Sequence, residues 1–503
     1  MKWLRCATLD GHEAKVVDVE VAFVRALPSF AIVGLAQTSI QESKERIKSA
    51  LNAIEFKFPP QKVTVNLSPS DLRKEGSHFD LPIALLIALQ KSEFEFDEFF
   101  VFGELGLDGK LKDTTTLFAI ILSLAKDNLI KKIIIPKDSL EKVSKIPNLE
   151  IYPCESLEEA IAVFQTPQAA EKVLSNESLK YPFIKINDKK YYFSDEFLED
   201  FSEIKGQELA KRASLIASAG MHNILYEGSP GCGKSMSAKR IPFILPPMSL
   251  DEILERAKLD AIEGKEPDFK PLRQMRSPHH TSTRASIFGG GSKNAKTGEV
   301  SLSHNGVLFF DEIPHFPKSV LESLREPLED YKVLISRVNT KISYETKFMF
   351  VSAMNPCPCG NLLSSTKECR CSDIEINRYK KRLSSPLLDR IDLYVQMSEV
   401  LPSDVSSVSS SDMFEMVKKA FVLQLKRGQS ELNGKLGDKD IQQYCLLDDK
   451  TQEILNSATI RYELSQRGIN KTLKVARTIS DLDGSLKIEK NHLLEALSYR
   501  IKS

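Results

Sequence analysis

The chain has 503 residues, 42% of them hydrophobic and 27% charged, with 69 Lys and Arg against 69 Asp and Glu. That length accommodates about three domains with sizeable cores, and the even charge balance excludes a global field that gathers polyanions, so any nucleic-acid contact must come from local basic loops. The segment MKWLRCATLDGHEAKVVDVEV reaches acidic residues too soon for a signal peptide, and the longest apolar run, Leu81 to Leu89, is far short of a membrane span; a cytoplasmic protein with no membrane partner is expected.

Residues 1–165 alternate strand patterns (Val17, Val19, Val21; Val63, Val65, Leu67) with amphipathic helices such as Gln37 to Ile54, whose Ile40, Ile47, Leu51 and Ile54 share a face. The spacing predicts a mixed α/β domain. A polar stretch, 166–189, has weak periodicity and reads as a linker. Residues 190–400 form the next domain, and after the break LPSDVSSVSSSD the chain from 401 to 503 turns mostly helical, with Met413 to Arg427 and Asp449 to Tyr462 the clearest helices.

The middle domain opens on a phosphate-binding loop. Apolar Leu225-Tyr226 leads into Gly228-Ser229-Pro230-Gly231-Cys232-Gly233-Lys234-Ser235, the full G-x-x-x-x-G-K-S pattern. Its glycines let backbone amides approach phosphate oxygens, Lys234 supplies a point charge toward the β and γ phosphates, and the Ser235 hydroxyl is placed to ligate Mg2+. ATP with Mg2+ is therefore the expected cofactor pair. Downstream, Gly306-Val-Leu-Phe-Phe-Asp-Glu is an apolar run ending in two carboxylates, as expected of a buried strand that delivers Asp311 to the magnesium shell and Glu312 to a water as general base. His279 and His280, beside Pro278, read as hydrogen-bonding loop residues rather than metal ligands.

Four of the eight cysteines, Cys6, Cys154, Cys232 and Cys445, are scattered as in a reducing compartment. The others form Cys357-Pro-Cys359, nine further residues, then Cys369-Arg-Cys371. This is the ligand number of a structural zinc site with one-residue spacers tighter than usual; a free-thiol cluster and an iron–sulfur centre are the other readings.

GSPGCGKS, LFFDE, SAMNPCPCG and SSPLLDRID, in this order, resemble the AAA+ ATPases of the magnesium-chelatase type, most closely the ComM (YifB) family of competence proteins. VNLSPSDLRKEGSHFDLPIAL, IKGQELAKRASLIASAGMHNILYEG, SPHHT and GEVSLSHNGVLFFDE extend the resemblance over nearly the whole chain. It implies an α/β multidomain protein: an N-terminal domain of Lon-peptidase type, an AAA+ core of the helix-2-insert type, and a C-terminal helical lid. Asn355 takes the place of the polar sensor, Arg390 in LLDRID that of an arginine finger offered to a neighbouring subunit, and Arg467 in SQRGIN that of the lid arginine closing on the phosphates, with Arg477 its competitor. A finger acting across subunits implies a homo-hexamer.

The same resemblance makes Lys296 to His304 the helix-2 insert and Tyr331 to Thr346 a hairpin pointing into the channel, with Lys332, Arg337 and Lys341 as candidate DNA phosphate contacts and Arg337 nearest the tip. In the N-terminal domain the segment KEGSHFDLPIAL puts His78 where the peptidase carries its serine, with Ser77 adjacent, and no lysine follows Lys112 where the base should stand, so peptide hydrolysis is not expected. The implied function is an ATP-driven DNA helicase that migrates branches on single-stranded, forked or branched DNA during natural transformation and recombination, with recombination proteins as implied partners. A chelatase motor subunit and an ATP-regulated scaffold without translocation are the alternatives.

Overall fold

Val17, Val19 and Val21 are buried while Asp18, Glu20 and Ala22 are half-buried, the period-two pattern of a strand with one face on a core. They lie in the strand Glu13–Val24. Val63, Val65 and Leu67 alternate likewise in Lys62–Ser68, and the helix expected from Gln37 to Ile54 is found at Thr38–Ala53 with Ile40, Ile47 and Leu51 buried. The computed structural model describes residues 2–92, 98–166, 170–176, 179–290, 296–336 and 341–500. It divides into two units, Met1–Lys180 with Ile253–Phe269, and Tyr181–Glu252 with Lys270–Ser503.

The first unit is built on an eight-stranded mixed sheet in the order Val173–Leu174, Glu150–Cys154, Lys132–Pro136, Phe99–Val101, Lys2–Asp10, Glu13–Val24, Lys62–Ser68, Ser29–Val33. The apolar run at 81–89 makes the helix Asp80–Ala88, buried from Asp80 to Ile87 and packed on the two N-terminal strands. Among the described residues no helix is long and apolar enough to cross a membrane. Residues 253–269 belong to this unit rather than to the 190–400 segment in which the sequence places them: Lys126 pairs with Glu255, the rings of Phe118 and Phe269 meet edge-on at 5.4 Å, and Lys145 lies 4.5 Å over Phe269.

The second unit holds a five-stranded, all-parallel sheet in the order Met275–Arg276, Val307–Phe310, Met349–Met354, Ile224–Gly228, Leu393–Met397. Parallel strands bury both faces, so their residues are apolar on both sides. Ile224, Tyr226, Val307, Phe309, Met349 and Val351 enter one core cluster, and Leu225, Leu308, Phe310 and Phe350 enter the other. The C-terminal helices Ser410–Lys426, Asp438–Tyr444, Asp449–Arg461, Gln466–Leu482 and Lys490–Ser498 follow. Val475, Ala476, Ile479 and Leu493 share the first of those cores with Ala213, Ala217 and the sheet, so residues 401–503 are packed into the same unit as the phosphate loop instead of forming a unit of their own. Described residues of the stretch 166–189 form strands where a linker is expected: Val173–Leu174 joins the first sheet, and Phe183–Ile186 pairs with Lys189–Tyr192, which in turn pairs with Met248–Ser249.

Candidate nucleotide site

The strand Ile224–Gly228 runs into the phosphate loop, and the helix Lys234–Arg240 leaves it. Gly231 and Gly233 sit at φ +83° and +97°, where only glycine avoids a Cβ clash, and a Cβ on Gly228 would stand 2.6 Å from Cys232 Sγ. Lys234 is nine-tenths buried, and its ammonium donates to Gly228 O at 2.6 Å, Ser229 O at 3.0 Å and Asn355 Oδ1 at 3.1 Å. Burial lowers its pKa against the nearby Asp311 and Glu312 charges. The adjacent strands Ile224–Gly228 and Met349–Met354 therefore bring the loop lysine and Asn355 together, although they are 121 residues apart in sequence.

Val307–Phe310, on the far side of Met349–Met354, ends at Asp311. The Ser235 hydroxyl donates to Asp311 Oδ2 at 2.8 Å. Two hard oxygen donors at this separation, beside an open glycine loop in which a Cβ on Gly231 would meet nothing within 4 Å, fit Mg2+ carrying a nucleotide phosphate. Glu312 is exposed and holds the left-handed conformation, φ +50°, sparsely populated for a non-glycine residue. Its backbone N–H donates to Asp311 Oδ1 at 3.0 Å.

Both expected arginines converge on Glu329, a residue no motif in the sequence marks. Arg390 pairs with it while also donating to Arg325 O at 3.0 Å and Pro386 O at 2.5 Å, and Arg467 takes the other carboxylate oxygen. Arg390 is not paired with Asp389 or Asp392. Among the described residues neither arginine bonds to the loop 228–235. Arg477 is buried on the helix Gln466–Leu482, bonded to Asp481, Ser480 and the carbonyls of Ser485 and Leu486. Asp392 is buried, with Lys471 Nζ at 3.1 Å, the Asn223 N–H at 2.8 Å and His222 Nδ1 at 3.8 Å. Burial alone would raise its pKa, but these partners hold it well below the usual carboxylate range.

The four clustered cysteines meet. Cys357 Sγ is 3.4 Å from Cys359 and 3.7 Å from Cys369, Cys359 is 3.7 Å from Cys369, and all four sulfurs lie within 4.8 Å of one another with none in a disulfide. Four sulfurs around one zinc at about 2.3 Å stand about 3.8 Å apart. The spacing fits a single ion and leaves no room for the sulfides of an iron–sulfur cluster.

The hairpin expected at 331–346 is present as Lys332–Ser336 paired with Lys341–Glu345. Lys332 is exposed; Arg337 and the Lys341 side chain lie outside the described residues. In the expected helix-2 insert, Lys296–Thr297 pairs with Gly289–Gly290 and Glu299–Leu302 is helical. His279 bonds Thr281 at 2.7 Å, and its ring lies 4.1 Å from that of His280 at a tilt of 35°. In the first unit His78 is buried against Ala7 O at 2.8 Å and Ser77 bonds Glu104. A cavity of about 480 Å³ lined by Leu225, Glu227, Lys380, Tyr394 and Arg500 lies beside the phosphate-loop strand but includes none of residues 228–235.

Profiles described as magnesium chelatase subunit ChlI, subunit ChlI of Mg-chelatase, and magnesium chelatase subunit ChlI C-terminal match residues 200–405, 19–139 and 407–500. The chain is 36% identical to the competence protein ComM of Haemophilus influenzae and 36% identical to the uncharacterized protein YifB of Escherichia coli, in each case over 97% of this chain and 95% of the relative. Lon protease 2 of Bacillus subtilis is similar over a shorter stretch, 29% identical across 29% of this chain and 28% of that protein.

Proposed function

Because this chain belongs to the ComM/YifB family of magnesium-chelatase-like AAA+ ATPases, we propose that it is a cytoplasmic, ATP-driven ring motor that grips and remodels single-stranded, forked or branched DNA in transformation and recombination. The observation that carries the ring is the placement of Arg390 and Arg467 on one carboxylate, with no bond to their own phosphate loop. Guanidiniums held together in this way suit delivery to the γ-phosphate on a neighbouring subunit, where they offset the charge of the transition state. Six copies are the assembly this reading takes.

Within one subunit the loop amides and Lys234 hold the β and γ phosphates, and Asn355 orients the lysine. Ser235 and Asp311 would hold Mg2+, which when bound neutralises phosphate charge. Glu312 accepts a proton from water as its oxygen bonds to the γ-phosphorus and the bond to the β–γ bridging oxygen breaks, releasing ADP and phosphate. The four cysteines hold one structural zinc ion. Lys332 and its hairpin neighbours Arg337 and Lys341 contact DNA phosphates. The deciding experiment is ATP turnover by the full-length protein with and without single-stranded and forked DNA. Stimulation together with strand displacement is the expected result; DNA-independent turnover would favour a chelatase motor or a scaffold.

A further inference from the structure

The cysteine turn ends against the phosphate loop. Gly360 closes it by donating its N–H to Cys357 O at 3.0 Å, and with φ +82° it presents a bare backbone to Pro230: a Cβ at Gly360 would stand 2.6 Å from Pro230 Cδ, 2.7 Å from Pro230 Cγ and 3.9 Å from Asn355 Cγ. The far side of the loop has no such wall, since a Cβ on Gly231 would meet nothing within 4 Å. A second link runs through Asn355, two residues before Cys357, whose side chain accepts from Lys234 at 3.1 Å. Both the loop backbone and its lysine thus lean on the segment 355–360.

We propose that metal occupancy of the four-cysteine site sets nucleotide affinity: the zinc-filled turn is the buttress that holds Pro230, and with it the loop amides, in the phosphate-binding shape. This rests on the reading of the cysteines as a zinc site. Zinc bound by the four cysteines would close the nine-residue excursion between Cys359 and Cys369. Without it nothing ties together the four sulfurs, which lie within 4.8 Å of one another. Gly360 then withdraws from Pro230, and a loop whose amides must stay within about 0.5 Å of productive geometry loses its wall.

The test uses full-length protein purified without added metal. Elemental analysis gives zinc content. A zinc-selective chelator, removed by gel filtration before Mg2+ is added, prepares the stripped form without modifying Cys232, and affinity is read with a fluorescent ATP analogue. Stripping is expected to weaken binding at least about tenfold, a change of about 1.4 kcal/mol, and added zinc to restore it. Gly360→Ala is expected to keep its zinc and bind nucleotide comparably weakly. Pro230→Ala removes the contact from the other side, and its affinity should change less than about twofold on stripping. Absence of zinc from the purified protein overturns the zinc reading. Zinc present, with unchanged affinity both on stripping and in Gly360→Ala, overturns the buttress and leaves the zinc site standing.

Discussion

Asp392→Asn removes one charge from the centre of the second unit while keeping the size of the side chain and an oxygen for the Asn223 N–H. The aspartate faces Lys471 at 3.1 Å; at an effective dielectric of about 20 that contact alone amounts to about 5 kcal/mol of gross attraction. Lys435, Lys474, Arg500 and His222 also feel this carboxylate. Breaking a buried pair by removing one partner costs about 3–5 kcal/mol, and that is the loss expected at pH 7. The pH dependence is distinctive. Burial has already pushed Lys435 and Lys471 down to about 8, and without Asp392 both fall further below the unfolded lysine value of about 10.4. A folded-state pKa lowered in this way gives stability that is present above the unfolded value and lost as pH falls through the folded one. The deficit of the variant should therefore shrink from pH 7 toward pH 10. Urea unfolding followed by far-ultraviolet circular dichroism at both pH values measures it. The only tryptophan, Trp3, lies in the first unit, so its fluorescence transition serves as an internal control. A deficit under about 1 kcal/mol at pH 7, or one that grows with pH, would refute the assignment of Asp392 as the counter-charge of the lysines.

Glu312→Gln should bind ATP like the parent and turn it over about 10²–10⁴-fold more slowly; parental turnover would exclude it as the general base. Arg390→Ala subunits, which keep their loop, mixed with Lys234→Ala subunits, which keep their finger, should recover activity in mixed rings, and no recovery despite co-assembly would argue against a finger acting across subunits. Glu329→Gln should lower kcat about tenfold by freeing two arginines of like charge, with KM for ATP little changed; an unchanged kcat removes the carboxylate from the mechanism. Lys332→Ala should weaken DNA binding at all sequences and reduce the salt slope by about one, as measured by fluorescence anisotropy across a salt series.

The parts legible in the sequence are those in which the chemistry is local. Gly231 and Gly233 sit at positive φ, a backbone conformation that L side chains rarely adopt, and Val307–Phe310 is buried because four apolar residues in a row have no polar face to show. The cysteine pattern belongs with these as far as the meeting of its four sulfurs within 4.8 Å of one another. Pairings across long separations were not legible. Glu329 carries no motif, and only the fold brings it to Arg390 and Arg467, 61 and 138 residues away. Arg467 and Arg477 are equivalent as letters on one amphipathic helix; packing buries Arg477 against Asp481 and leaves Arg467 at the surface. The periodicity of Leu250–Ile262 says that it is a helix and which face is apolar, but an apolar stripe does not name its partner, and residues 253–269 join the first unit because Phe118, Lys126 and Lys145 meet them there. Sequence determined the loop that holds phosphate, since backbone conformation and residue type suffice for it; tertiary structure decided which charges face one another, since that depends on where distant segments are brought.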